Sequence, residues 1–434
     1  MPYKFETTGY RRTRSGRDNT VQHKLPTRFM SVDALRGFDM FWIVGAGYFV
    51  AALNRWTGNP LVAMLRHQLE HVAWEGFVFY DLIFPLFVFI VGVSAAFFLS
   101  KTIAEKGAMT AAKRVLLRGL MLYLVGLFYS KGFDGAAYVP PGGGEATTGD
   151  LLRHLLDNTR MLGVLNRIAI AYTATGLLFI FLPVKLLFGV FASLLLGYWG
   201  LMERWPIRDI QLEPAALAKL AEQTGETNVV KLFNSTLNTV TGQYAPGYNL
   251  ANHIDFQYLP GKLYDTYYDP EGILSTLPAI GTCLLGLFAG VLLLNEELPP
   301  GGKTVFLLTM GFLLMGVGYL WGFSFPVIKK LWTSSFVLVA GGFSLMLLGA
   351  FHQIVDVWER NLWCRPFIWI GSNALTIYLA SQILGFRKIA ERFVGGPIQG
   401  HLGGFGEVLV AVVAILLMLG FARALYVRKI FLRL

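Results

Sequence analysis

Residues 71–92 read HVAWEGFVFYDLIFPLFVFIVG, a polar cluster that runs directly into an apolar stretch long enough to begin a membrane-spanning helix. Read as one helix, His71, Trp74, Val78, Asp81 and Pro85 recur at three- and four-residue steps and share roughly one face. That face cannot be turned to lipid. An ionisable side chain inside an apolar span is costly unless it meets a partner or a water-filled cavity, so position alone makes Asp81 a candidate functional residue.

Composition sets the class. Hydrophobic residues make up 54% of the 434 and charged residues only 15%, too apolar a balance for a water-soluble globule. Helical spans satisfy every backbone group within the segment, and the apolar runs are close to the roughly 20 residues that cross a bilayer as a helix, against about ten for a barrel strand. The sequence predicts an all-α polytopic membrane protein with about ten transmembrane helices in one bundle. They fall at about 31–54, 76–100, 115–130, 160–182, 185–201, 273–295, 304–322, 334–352, 367–385 and 405–426. Cys283 lies in an apolar run and Cys364 in a polar connector, so neither belongs to a disulfide or metal framework. A net charge of +10 is read as membrane orientation and contact with anionic lipid rather than nucleic-acid binding.

Residues 1–30 form a basic tail without a signal-peptide pattern, and the connector 101–118 is basic again, with Lys106, Lys113 and Arg114. The excess of Lys and Arg puts the tail, this connector and the end carrying Arg423, Arg428, Lys429 and Arg433 in the cytoplasm. Both termini are then cytoplasmic and the His71 end of the second span faces outward. Within a membrane domain of 31–434, two long connectors lie outside: 131–159, and 202–272 as one large periplasmic loop insertion. The latter opens with the amphipathic EPAALAKLAEQTG and closes in a stretch rich in Tyr, Asn and Asp, suited to a sugar ring or to an interfacial aromatic belt. Lys329 and Lys330, in FPVIKKLWT, sit outside against the charge rule, which marks a role beyond topology or a headgroup contact.

Other polar residues inside spans narrow the chemistry. Arg167, in GVLNRIAIAY, lies about 10 Å into the fourth span at the rise of a helix, a depth similar to that of Asp81. The two are expected to pair, either for function or to fix helix packing. Glu271, in DPEG, is a dipole-favoured helix-start residue or projects into the same outer cavity as His71. Asn373, in WIGSNALTIY, offers a helix–helix hydrogen bond or a ligand contact. Around His71, Glu75 is placed to hold the imidazole tautomer and Trp74 to exclude water. A neutral His71 can then take a proton from an attacking amine or hydroxyl, or carry an acyl group itself.

Six stretches taken together resemble one family. SVDALRGFDMFWIV at 31–44, HVAWEGFVFYDLIFPLFVFIVGVS at 71–94, GVLNRIAIAY at 163–172, YDPEGILSTLPAIGTCLLG at 268–286, FPVIKKLWTSSFVL at 325–338 and PFIWIGSNALTIY at 366–378 are similar to successive signatures of the heparan-alpha-glucosaminide N-acetyltransferase family and its bacterial transmembrane acyltransferase relatives. The resemblance implies transfer of an acetyl group from cytosolic acetyl-CoA to the amino group of a glucosamine unit across the membrane. It maps the catalytic histidine to His71, and places Asp81, Arg167, Glu271, Lys330 and Asn373 at motif positions, with Trp74 and Glu75 beside them. One departure stands out: where some relatives carry an asparagine late in the first span, this chain reads IVGAGYFV and first offers Asn54. The short basic tail is bacterial in style and implies an inner-membrane enzyme acting on glucosamine, a short amino sugar or an envelope sugar.

Coenzyme A is too charged to cross hydrocarbon, so its nucleotide stays on the cytoplasmic side, where Arg36, Lys113, Arg114 and Arg118 are candidates to hold it. No metal is expected. Acetyl transfer runs either directly to the acceptor or through an acetylated His71. Two further readings remain at this stage: an amino-sugar permease using the same buried charges, and an O-acyltransferase for an envelope sugar. The expected partners are a small amino sugar and membrane lipids, and the exposed helix faces leave room for a homodimer.

Overall fold

The computed structural model describes residues 29–129 and 147–431. Residues 1–28 of the basic tail, 130–146 of the first outer connector and Arg433 lie outside the described residues. Eight helices among those described are long and apolar enough to cross a membrane: Met30–Thr57, Phe79–Lys106, Val164–Phe181, Val184–Arg204, Thr276–Leu294, Pro300–Trp321, Ser334–Val357 and Gly404–Val427. The protein is an all-helical, polytopic integral membrane protein.

The other two expected spans are helical but different in kind. The third is Ala108–Tyr129, whose first half carries Lys113, Arg114 and Arg118. The ninth is broken into Arg365–Gly371 and Ala374–Ile383, with Asn373 in a non-helical conformation between them. Met30–Thr57 loosens into a π-helical turn at Trp42–Ala46.

Phe79–Lys106, Thr276–Leu294 and Ser334–Val357 are the most buried spans and form the centre, while Val184–Arg204 and Pro300–Trp321 lie at the perimeter. The first two touch backbone to backbone. A Cβ at Gly92 would meet the Cys283 carbonyl, and one at Gly286 would meet the Phe89 carbonyl. In lipid, where tails are as apolar as Leu, such small-residue contact is what lets helices associate.

His71–Val78 is not helical, which corrects the expected continuous face from His71 to Pro85. Gly76 adopts φ 124° and donates its N–H to the Val327 carbonyl at 2.9 Å, and Glu75 bridges to Ile328. The segment is therefore an extended strap pinned to residues 327–328. The helix starts at Phe79, where the Asp81 carboxylate accepts the Val78 N–H at 3.3 Å and caps the first turn.

The 202–272 connector is folded. Ile207–Arg208 pairs antiparallel with Thr239–Val240, and the helices Pro214–Thr224, Val229–Ser235 and Leu250–Tyr258 enclose a centre of Ile210, Leu212, Leu217, Leu232 and Phe233. A second cluster joins Leu250 and Ala251 to Tyr198, Met202, Phe325, Ile328 and Leu331, seating the insertion on the bundle.

Two titratable groups of this insertion pull stability in opposite directions with pH. Burial pushes Asp255 up to about 7, against the opposing N–H of Ile273. Its folded-state value lies above that of the unfolded chain, so its contribution is full below about pH 4 and is lost as pH rises through about 7. Burial pushes His253 down to about 4, so its contribution is present above about pH 6.5 and is lost as pH falls through about 4. Asp255→Asn is expected to raise stability relative to the native protein at pH 8 by about 2–4 kcal/mol and to leave little gain at pH 4. Thermal melts in detergent at the two pH values check this, and a gain of equal size at both would rule it out.

Candidate active site

A cavity of about 340 Å³ opens where the strap, the 322–333 turn and the start of the second span meet. At its mouth, His71 Nδ1 lies 2.8 Å from Asp81 Oδ1, while Asp81 is buried and the imidazole is half exposed. An ionised carboxylate only accepts, so this contact puts the proton on Nδ1 and leaves the Nε2 lone pair as the acceptor of the ring, with Lys329 Nζ 3.4 Å from it. Asp81 also takes the Val78 N–H and, at 3.4 Å, that of Val72. The Tyr80 ring packs 4.7 Å from the imidazole.

Lys329 completes this group. Its Nζ is 3.3 Å from Asp81 Oδ1 and 2.9 Å from His71 Nδ1. Burial pulls the ammonium below its usual range, against the opposing Asp81 carboxylate. The tight turn that presents Lys329 and Lys330 holds Trp332 at φ 52°, a left-handed conformation costing about 1 kcal/mol in a bulky residue. The Trp332 N–H bonds back to the Lys329 carbonyl and its indole to Thr282 Oγ1 at 3.0 Å, which keep the turn in place.

The deeper wall is built from two arginines. Arg160 grips Asp269 through two bonds of 2.7 and 2.5 Å, reaches Glu271 through the same guanidinium, and stacks on Tyr264 at 4.9 Å. Arg167 is fully buried over the Trp332 ring, with Nη2 bonded to the Pro270 carbonyl and to Ser275 Oγ. Its Nε and Nη1 have no hydrogen-bond partner among the described residues. A buried cation with unused donors beside a cavity is a ready site for an oxygen that gains negative charge.

Of the residues expected from sequence, His71, Asp81, Trp74, Arg167, Glu271 and Lys330 line this one cavity. The expected Asp81–Arg167 ion pair is not formed. Asp81 takes His71, brought onto it by the extended strap, and Lys329, while Arg167 takes the 270–275 segment. Glu75 is exposed, bridged to Ile328 and absent from the cavity lining, so the tautomer is held by Asp81. Asn373 is buried at the break between Arg365–Gly371 and Ala374–Ile383, away from the lining.

The four candidates for the nucleotide lie on neighbouring helices, Arg36 on Met30–Thr57 and the other three on Ala108–Tyr129. Arg36 bonds Asp33, the Gly371 carbonyl and Ser94 Oγ, and Ser94 is about 20 Å from Asp81 at the rise of a helix. Arg118 stacks on Phe98 and Tyr172, while Lys113 is exposed and Arg114 half-buried on the same helix. Sequence reasoning carried neither Lys329 nor Arg160 into the site. The KK pair against the charge rule pointed at both lysines; Arg160, at the start of an apolar run, gave no such signal.

No family model matches the chain. It is 26% identical over 396 residues to the heparan-alpha-glucosaminide N-acetyltransferase of Homo sapiens, an alignment that covers 83% of this chain and 53% of the relative. The enzyme of that name from Mus musculus is 26% identical over 358 residues, 73% of this chain and 49% of the relative. The chain thus spans about half the length of the curated relatives it matches. At that identity over most of its own length, the chain is a distant relative of the heparan-alpha-glucosaminide N-acetyltransferases.

Proposed function

We propose that the protein is a membrane N-acetyltransferase that moves an acetyl group from acetyl-CoA, entering at the Arg36 and Arg118 end, to the amino group of a glucosamine-type sugar in the cavity at the His71 end. The observation that carries this reading is the His71–Asp81–Lys329 group at the mouth of a cavity whose inner wall holds unused Arg167 donors. The names of the two relatives support the transfer chemistry. The basic residues near Lys101–Arg118 and Arg423–Lys429 favour a cytoplasmic donor side by the charge rule.

In the proposed reaction the amine nitrogen attacks the thioester carbonyl carbon. The new C–N bond forms and the C–S bond breaks; the amine proton passes to His71 Nε2, and the imidazolium then gives it to the departing sulfur, which leaves as the free thiol. Asp81 stabilises the imidazolium, as a carboxylate on the far ring nitrogen does in hydrolase triads. The Nε and Nη1 groups of Arg167 face the oxygen that becomes anionic.

Arg167→Gln is expected to lower kcat by about a hundredfold with little change in KM for the sugar, since it removes a contact made chiefly in the transition state. A parallel rise in KM with kcat intact would assign Arg167 to ground-state binding. The reading as a whole is tested with purified protein in liposomes, supplying acetyl-CoA and glucosamine and following acetylated product. Product dependent on both substrates supports it. Uptake of unmodified amino sugar without acetyl-CoA, and no acetylated product, would replace it with transport. Radiolabelled acetyl retained on the protein in the absence of sugar, and absent in His71→Ala, would select the route through acetyl-histidine.

A further inference from the structure

The cavity continues beyond its mouth. Trp74, Tyr264 and Lys330 line it and also line a second, wider depression of about 990 Å³. The far side of that groove belongs to the folded insertion, with the first turns of Pro214–Thr224 and the 264–268 turn. This turn is held firmly. Asp265 accepts from Lys330 at 2.8 Å and donates its N–H to the Tyr268 carbonyl, the Tyr268 hydroxyl donates to Glu213 at 2.5 Å, and Thr266 sits at φ 68°. Trp74 is fixed in turn by its indole N–H on the Tyr244 carbonyl at 2.8 Å.

The groove differs from the cavity in charge. Glu213 and Asp265 are matched by Lys219 and Lys330, and three of these four already satisfy one another or Tyr268. It therefore offers no net field to a polyanion, while the half-buried Trp74 and the exposed Tyr264 supply aromatic surface of the kind on which sugar rings stack. A monosaccharide in the cavity would leave this built surface unused.

We propose that the groove is a second saccharide subsite, and that the acceptor is an uncharged glycan of two or more units. Its terminal amino sugar enters the cavity, and the next ring crosses Trp74 and Tyr264 to lie against residues 211–219. The proposal rests on the amino-sugar reading of the cavity and adds to it the length and charge of the acceptor.

Three acceptors separate the two. They are glucosamine, the disaccharide glucosaminyl-β-1,4-N-acetylglucosamine, and the same disaccharide sulfated on the second ring. The native protein is expected to use the neutral disaccharide about tenfold better than glucosamine in kcat/KM, through KM, and to lose that advantage with the sulfated one. Ala215→Trp fills the groove from an exposed position in the first turn of Pro214–Thr224, where substitution is tolerated. It is expected to erase the advantage and leave turnover of glucosamine unchanged. Equal use of glucosamine and the neutral disaccharide, an advantage that survives Ala215→Trp, or a preference for the sulfated acceptor overturns the subsite while leaving the acetyltransferase intact. Acetylation of none of the three by the native protein overturns the amino-sugar reading, and the subsite with it.

Discussion

His71→Ala is expected to lower acetyl transfer to glucosamine by roughly 10²–10⁴-fold, the range typical for loss of a positioned general base. The protein should keep its melting temperature. The imidazole is half exposed at the cavity mouth, so its removal leaves no void in the packed interior. Asp81 retains the Lys329 ammonium and the N–H groups of Val72 and Val78, so its buried charge stays compensated. Activity and folding therefore separate cleanly at this position. Initial rates at saturating acetyl-CoA, read beside detergent melts, check both halves; a folded variant within tenfold of native turnover would remove His71 from the chemistry.

The second large effect is on stability. Arg160 holds two carboxylates at once, and the Asp269 side chain is wholly buried while that of Glu271 is nearly so. Arg160→Met removes the ion-pair partner of both, leaving Asp269 only the N–H groups of Tyr264 and Glu271, and is expected to cost about 3–5 kcal/mol, enough to deplete the folded protein. Arg160→Lys restores the charge but not the paired N–H fork on Asp269, and should recover less than half of the loss. Thermal melts of the three proteins are the measurement. If Arg160→Met melts with the native protein, the network does not hold the inner wall, and Glu271 is free to act in another way.

Much of the architecture was readable because bilayer thickness fixes span length and apolar runs announce themselves. The exceptions have local causes. Lys113, Arg114 and Arg118 make Ala108–Tyr129 too polar for a simple span, and the break at Asn373 divides the ninth into two short helices. In the site, His71 and Asp81 were legible as residues of one face, but for the wrong geometric reason, and Asp81 was assigned Arg167 as its partner. The helix expected to align them does not exist, and an extended strap with Gly76 at φ 124° brings them together instead.

Partner choice was harder to read, since it depends on contacts between distant parts of the chain. Lys329 reaches His71 across 258 positions and Arg160 reaches Asp269 across 109, separations over which neither periodicity nor charge pattern carries information. Asp269 and Glu271 looked like ordinary helix-start carboxylates, and only the folded chain shows that both are held by one guanidinium.

The insertion between residues 202 and 272 folds around its own apolar centre and meets the bundle through a separate cluster. That division makes the protein modular in an evolutionary sense. On the proposed reading, surface changes along 211–219 would retune which acceptors are admitted, while the backbone-locked pair of central helices keeps Asp81 in place. Divergence among related chains should then concentrate in this insertion, and exchanging it between them becomes a practical way to move selectivity without rebuilding the chemistry.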